Sequence, residues 1–386
     1  MMDTMVSIRD VAKRAGVSVG TVSNVLSESA SVSAERRARV LAAIETLDYH
    51  PNYIARSLKA RSTKTLGLII SDITNPFFPL VVRGAEDCAF SHGYLLITFN
   101  TDDQIEREKQ VLSVLRSRRV DGVLLVVAPS PDGDVSHIRK TVECGIPIVC
   151  LDRIPPGMAL DSVSVDNVAG AQLCVRHMVG RGHRRIGIIT GKLTLQTARD
   201  RLEGYLAALR EAGIEPEPDL ILEGNFRQDT GYRLGKDLLL LHNRPTALFV
   251  CNGMMTVGVI QALEETGFRC PADVAVASFD DLPFSDAFQP HLTSVDQPAY
   301  RMGYEGAQLL VGRLQGKIKS RKRVAVRLAL ELKIRNSTGG NRSTEGGMEF
   351  APVVRVPPAG FETGPPGVLR DQKPVKKPAA AEKAQA

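Results

Sequence analysis

Residues 7–26 read SIRDVAKRAGVSVGTVSNVL, two short amphipathic helices separated by a tight glycine turn. Ile8, Val11, Ala12 and Ala15 fall at i, i+3, i+4 and i+7, which puts them on one face of a first helix. Ser7 stands where an N-cap belongs, and Gly16 ends the helix because glycine enters the left-handed region at little cost. A second helix follows Val17 and Ser18, with Val22, Val25 and Leu26 on its apolar face and Thr21, Ser23 and Asn24 between them. This pattern predicts a helix-turn-helix whose second helix can read base edges, so the first partner implied is DNA. The same stretch contains Gly16-Val17-Ser18-Val19-Gly20, the G-x-S-x-G pattern of a hydrolase elbow. That elbow needs a strand ahead of the serine, and the spacing offers a helix instead. Ser18 therefore reads as the cap of the second helix.

At 386 residues the chain is too long for one small domain and suits two or three. Apolar residues make up 43% and charged residues 24%, enough for sizeable cores in a soluble protein. The net charge of +6 is too mild to imply nucleic acid by itself, but its placement is informative. Residues 1–63 carry nine Lys/Arg against six acids, and residues 317–335 carry eight against one. Six dispersed cysteines without a C-x-x-C pair, and seven dispersed histidines, imply neither a disulfide framework nor a metal site. No secretory leader or long apolar run is visible, so a cytoplasmic protein without membrane contact, metal or cofactor is expected.

A third helix is expected from Ser33 to Leu47, with Val40, Leu41, Ile44 and Leu47 inward, closing a headpiece over residues 1–49. Residues 50–63 read as a hinge helix or linker: the stretch PNYIARSLK (51–59) can form about two helical turns, too few to be stable alone in water, and composition fits a plain linker as well. From Lys64 short apolar runs alternate with amphipathic stretches; examples are Leu66–Ile70, Val123–Val127 and Ala247–Cys251. The alternation predicts an α/β core of two doubly wound parallel-sheet lobes over residues 64–336. Residues 337–386, with seven Pro and seven Gly from 336 onward, are expected to be a disordered tail.

Together the headpiece (DVAKRAGVSVGTVSNVL, then VSAERRARVLAAIETLDYHPN), the PNYIARSLK segment and the core resemble the LacI family of bacterial transcription repressors. The resemblance implies operator DNA as partner, a homodimer, and DNA contacts from Ser7, Ser18, Val19, Gly20, Thr21, Ser23 and Asn24. It further implies a hinge helix that orders in the DNA-bound dimer, with Asn52, Ala55, Arg56 and Lys59 at the groove. Leu58 matches the family's leucine that wedges into a base step, where unstacking costs a few kcal/mol and the kink returns contact area. Val19 and Gly20 depart from the family's base-reading pattern, since neither side chain can hydrogen-bond a base edge. Base reading then falls on Asn24, whose amide suits adenine, and on Ser18, Thr21 and Ser23.

The core is also similar to periplasmic sugar-binding proteins, and its details match their ribose-binding branch. Asn75, Phe77 and Phe78 follow the first strand, and Asp152-Arg153 ends the Val149–Leu151 strand. Arg201, Phe226, Asn252, Asp280 and Gln297 complete the implied ligand set. The chemistry suits a sugar: aromatic rings cover its C–H faces, and Asp, Asn and Arg satisfy hydroxyls that both donate and accept. Asn252-Gly253 replaces the family's usual Asn-Asp, which changes the local support of Asn252. The implied effector is ribose or a similar pentose; the alternative is a nucleobase co-repressor, for which Thr197 and Arg201 fit and Leu195 does not. No P-loop or dinucleotide turn supports an enzyme.

Overall fold

The computed structural model describes residues 6–26, 32–49, 62–130, 132–283, 285–287, 289–320, 322–339 and 353–356. The chain divides into two compact units, one of residues 1–65 with 119–121 and one of residues 66–118 with 122–386. None of the described helices is long and apolar enough to cross a membrane.

The first unit contains α1 (Ile8–Ala15), α2 (Val19–Leu26) and α3 (Ala34–Thr46). Val11, Ala12, Ala15, Val22, Val25, Val40, Ala43 and Tyr49 form its core. Gly16 takes the left-handed conformation (φ 63°), which lets the Val17 N–H return to the Ala12 carbonyl at 3.1 Å. Leu41 is a correction to the sequence reading: its side chain is 52% exposed, and Ala43 takes the inward place. Val40, Ala43, Ile44 and Leu47 share one helical face, and Leu41 lies one residue, about 100°, away from Val40.

The expected hinge helix falls on residues 50–61, which lie outside the described residues, as do Asn52, Ala55, Arg56, Leu58 and Lys59. Residues 62 and 63, the last of the segment read as hinge helix or linker, are not helical. Asp121 holds them, accepting from the Thr63 N–H at 2.7 Å, the Thr63 hydroxyl at 2.9 Å and the Lys64 N–H at 3.2 Å. Two of these three donors are backbone N–H groups that a helix would use internally.

The second unit holds two α/β lobes. The first comprises β1 (Thr65–Ile70), α4 (Phe77–Ser91), β2 (Leu95–Asn100), α5 (Ile105–Ser117), β3 (Gly122–Leu125), α6 (Ser136–Glu143), β4 (Ile148–Leu151) and β5 (Asp161–Val165). The second comprises α7 (Asn167–Gly180), β6 (Ile186–Thr190), α8 (Gln196–Glu211), β7 (Ile221–Glu223), α9 (Gln228–Leu239), β8 (Ala247–Val250), α10 (Gly253–Thr266), β9 (Ala275–Phe279) and β10 (Thr293–Asp296). The chain then returns to the first lobe with α11 (Ala299–Leu314) and β11 (Ala325–Leu328), and ends in the second with β12 (Leu330–Lys333) and β13 (Val353–Val356). It thus passes between the lobes three times.

The sheets run β11-β5-β4-β3-β1-β2 and β13-β12-β10-β9-β8-β6-β7. The first is parallel at every described pairing, and the second is parallel except that β12 runs antiparallel to both β10 and β13. Strands such as β3, β4, β8 and β9 are buried along their whole length, which explains why they read as continuous apolar runs. Helices α4 and α11 approach so closely that a Cβ on Gly84 would lie 1.9 Å from the Tyr300 carbonyl oxygen, and one on Gly303 equally near that of Val81.

The structure also moves the boundary of the expected disordered tail. Ser337 and Thr338 are buried; the Ser337 hydroxyl donates to the Val276 carbonyl at 2.6 Å and accepts the Thr293 N–H at 2.8 Å. Residues 353–356, VVRV, form the edge strand β13. Averaged composition hides such a four-residue β-prone island among Pro and Gly. Residues 340–352 and 357–386 lie outside the described residues.

Candidate functional site

On the headpiece, Ser18 caps α2 as the sequence implies. Its hydroxyl oxygen accepts the Thr21 N–H at 3.2 Å and lies 3.0 Å from the Thr21 hydroxyl. Ser7 is bonded to Asp10, whose carboxylate accepts its N–H at 2.9 Å and its hydroxyl at 2.6 Å. These bonds hold the Asp10 carboxyl below its usual range. Val19, Gly20 and Asn24 are exposed, and Thr21 and Ser23 are half-buried. A Cβ on Gly20 would meet nothing nearer than the Ser18 hydroxyl at 3.6 Å, so no packing within the headpiece demands glycine there.

In the core, all ten of the ligand residues expected from sequence line one cleft between the lobes. Parallel topology explains the convergence: loops at the carboxyl ends of both sheets face each other. Three of these residues occupy the left-handed region just past a strand: Asp152 after β4 (φ 63°), Phe226 after β7 (φ 66°) and Asp280 after β9 (φ 73°). Non-glycine residues held there cost on the order of 1–3 kcal/mol each, and such strain gathers at functional sites.

The first lobe contributes an aromatic corner and a charged pair. Phe77 and Phe78 are buried and meet edge to face, centroids 5.1 Å apart at 80°. Asn75 fixes the start of α4 by accepting the Phe77 N–H at 3.2 Å. Arg153 donates through Nη1 to Asp103 at 2.6 Å and to the Val127 carbonyl at 3.4 Å. Its Nε lies 3.6 Å from Asp152 Oδ2, beyond hydrogen-bond reach. Burial alone lowers the proton affinity of this guanidinium; the Asp103 and Asp152 carboxylates reverse that and hold it charged.

The second lobe is knit more tightly. Arg201 donates through Nε to Asn167 Oδ1 at 2.9 Å and through Nη1 to the Cys251 carbonyl at 2.6 Å, while its guanidinium lies 3.8 Å over the Phe279 ring. Asn252 caps α10, accepting the Met255 N–H at 2.9 Å and donating to the Phe226 carbonyl at 2.9 Å. The Asn252-Gly253 departure therefore keeps Asn252 well supported, and a Cβ at Gly253 would crowd Leu282 at 2.7 Å. Gln297 donates its amide to Asp280. Burial pushes the Asp280 carboxyl up, against the opposing pull of Arg201 and Gln297.

Among the described residues, three buried side-chain atoms at this cleft have no hydrogen-bond partner: Asp152 Oδ1, Arg153 Nε and Gln297 Oε1. Sequence reasoning missed Asp103, Asp72 and Arg227, which also line the cleft. Asp102 and Asp103 are both left-handed (φ 53° and 57°) at the end of β2, so the strand-end rule applied to β2 would have found them. Arg227 of the second lobe faces Asp72 at 3.6 Å and Asp102 at 3.9 Å of the first, an ionic contact across the mouth.

A helix-turn-helix headpiece joined to a two-lobed core of this topology defines a DNA-binding regulator carrying a ligand-binding domain. Residues 7–52 match the bacterial regulatory proteins of the lacI family, and residues 175–338 match the periplasmic binding protein-like domain. A transcriptional repressor named PurR from Pasteurella multocida is 35% identical over 333 residues, covering 86% of this chain and 98% of its own. The lac repressor dimer bound to operator and the anti-inducer ONPF superposes with a TM-score of 0.76 at 27% identity, covering 87% of this chain and 99% of that one. A LacI family regulator from Enterococcus faecium with bound ribose gives a TM-score of 0.64 at 28% identity, covering 71% and 98%. The chain belongs to the LacI family and is a DNA-binding transcriptional repressor.

Proposed function

We propose that this repressor acts as a cytoplasmic dimer whose operator affinity is set by ribose or a closely related pentose bound in the interlobe cleft. The observation that carries this reading is the trio of unpartnered buried atoms in the cleft that Phe77 and Phe78 also line. Asp152 Oδ1 and Gln297 Oε1 accept, and Arg153 Nε donates. Sugar hydroxyls supply both roles from one small ring, and charge-assisted bonds of this kind are the strong ones. The aromatic rings cover the C–H face of the same ring. Asn75, Arg201, Phe226, Asn252 and Asp280 form the rest of the proposed pocket. The Enterococcus faecium relative, a LacI family regulator with bound ribose, supports this choice.

On the DNA side, the proposed base contacts are Asn24 with Ser18, Thr21 and Ser23, Val19 offering methyls to a thymine, and Ser7 on the backbone. Asn52, Ala55, Arg56, Leu58 and Lys59 are proposed for the minor groove between half-sites. The sugar controls DNA affinity by binding one arrangement of the two lobes better than the other, and a 100-fold preference corresponds to about 2.7 kcal/mol of coupling. Arg227 facing Asp72 and Asp102 closes the mouth in the arrangement described here.

A second reading, a nucleobase effector, is favoured by Thr197, which is buried against the cleft, and by the PurR name of the Pasteurella relative. Against it, Leu195 is a buried apolar residue and lies outside the cleft lining. Calorimetric titration of the full chain with D-ribose, hypoxanthine and guanine separates the two. Ribose binding that also alters the mobility shift of the gene's own upstream DNA is the expected result. Saturable binding of a base with no heat from any pentose would overturn the sugar reading and leave the repressor intact.

A further inference from the structure

The segment 317–335 carries eight Lys/Arg against one acid, and the fold accounts for three of them. Arg327 pairs with Asp166 at 3.1 Å, Lys333 with Asp281 and Asp296 at 2.8 Å each, and Arg335 with Asp281 at 2.8 Å. The others crowd into residues 317–323, the loop between α11 and β11. Lys317, Lys319, Lys322 and Arg323 are exposed there, and among the described residues no carboxylate pairs with them.

This loop is anchored from within. Arg313 grips Asp161 with two bonds of 2.7 and 2.9 Å, and it also donates to the carbonyls of Ile318 at 3.4 Å, Ser320, and Lys322 at 2.8 Å. Asp161 in turn accepts the Val324 N–H at 2.7 Å. With three carbonyls drawn onto one guanidinium, the backbone is fixed and the cationic side chains stand on the outer rim. Solubility alone would need no such anchoring.

The placement is informative too. Strand β11 runs parallel to β5 in the sheet β11-β5-β4-β3-β1-β2. Its leading loop therefore shares one end of the lobe with the start of β1, where the chain arrives from the DNA-binding headpiece. Four strand spacings separate them, on the order of 20 Å. Exposed Arg118, just before β3, lies at this same end, opposite the effector cleft.

We propose that this loop is a second DNA-contacting surface, which rests on the phosphates of duplex flanking the headpiece footprint. The contact is sequence-independent, since phosphates position a protein without specifying bases. Duplex DNA is favoured over an acidic protein because the chain from the DNA-binding headpiece enters the core at the start of β1, at this same end, and a tether raises the effective concentration of whatever the headpiece binds. The proposal rests on the repressor's DNA binding and is indifferent to the effector.

The test uses the full chain and a duplex that it selects from a random pool. One form is trimmed to the minimal footprint, and the other is extended by one helical turn, about 10 base pairs, at each end. The variant combining Lys319→Gln, Lys322→Gln and Arg323→Gln should bind the trimmed duplex like the parent. On the extended duplex it should bind roughly 10-fold more weakly at low salt, with a salt slope shallower by about 2 to 3. The variant with Lys319→Arg and Lys322→Arg should keep the parent's affinity for both. Equal affinity of parent and Gln variant for the extended duplex overturns the proposal and leaves an acidic protein as the remaining partner. An equal loss on both duplexes overturns it as well, by locating the defect in the headpiece or the fold.

Discussion

On the second-lobe wall of the cleft, Arg201 and Asn252 direct their hydrogen bonds into the protein, whereas on the first-lobe wall Asp152 Oδ1 and Arg153 Nε are left without partners. Both walls are buried, and both carry charge. The difference separates two tasks that one sequence pattern concealed. The second-lobe wall, Gln297 Oε1 apart, has these polar side chains held by the protein and keeps its shape with the ligand absent. A wall with unmet valence gains most when hydroxyls arrive, because leaving a buried polar group unmade costs about 1–3 kcal/mol.

The strongest way to break this comparison is Arg201→Met. That change orphans the Cys251 carbonyl and Asn167 and removes the cation over Phe279, so a loss of about 2–4 kcal/mol is expected in urea denaturation. Effector binding should vanish with it. A stability change within about 0.5 kcal/mol would mean that the second-lobe wall does not support itself.

Next in size is Asp281, directly behind Asp280. Although burial alone would raise its carboxyl, bonds from Arg335, Lys333 and Ser294 bring it down from 3.8 to about 2. The folded pKa is depressed, so the stabilisation is present above the unfolded value and is lost as pH falls through about 4 to 2. It amounts to about 2 kcal/mol. Asp281→Asn should lower stability by about that amount at neutral pH and by progressively less in this acid window, followed by melting temperature against pH. A pH-independent loss would show that the ionised Asp281 carboxylate is not the source of this stabilisation.

The smallest expected effect on stability belongs to Asp152→Asn. One carboxylate oxygen has no protein partner, so the melting temperature should move by no more than about 1–2 °C, while effector affinity falls roughly 10- to 100-fold. Affinity that survives this change would place the ligand's hydroxyls elsewhere and remove the distinction between the walls.

Much of this was legible in the chain itself. The helix-turn-helix could be read because its signals are local: the Ser18 cap, the Gly16 turn and an apolar spacing that α1 and α2 reproduce. Strands buried on both faces announced themselves as apolar runs, while β5, β7, β10, β11 and β12 escaped because they are short or mix polar residues with apolar ones. Leu41 went astray for a related reason, since helical facing is decided by about 100° per residue and hydrophobicity alone does not report it.

The residue types of the cleft were likewise written in the sequence, in the order that the resemblance implied. What each one does there was not. Whether Asn252 faces the ligand or caps α10, and whether Arg153 rests on Asp152 or on Asp103, depends on groups 26 to 50 positions away in the chain. Sequence by itself determined the headpiece and the alternation that makes two parallel sheets, because local propensity and periodicity suffice for these, and the cleft residues came only from the resemblance. Only the tertiary structure decided which polar atoms are satisfied by the protein and which are left for a ligand, because hydrogen bonding in a buried cleft is fixed by long-range convergence.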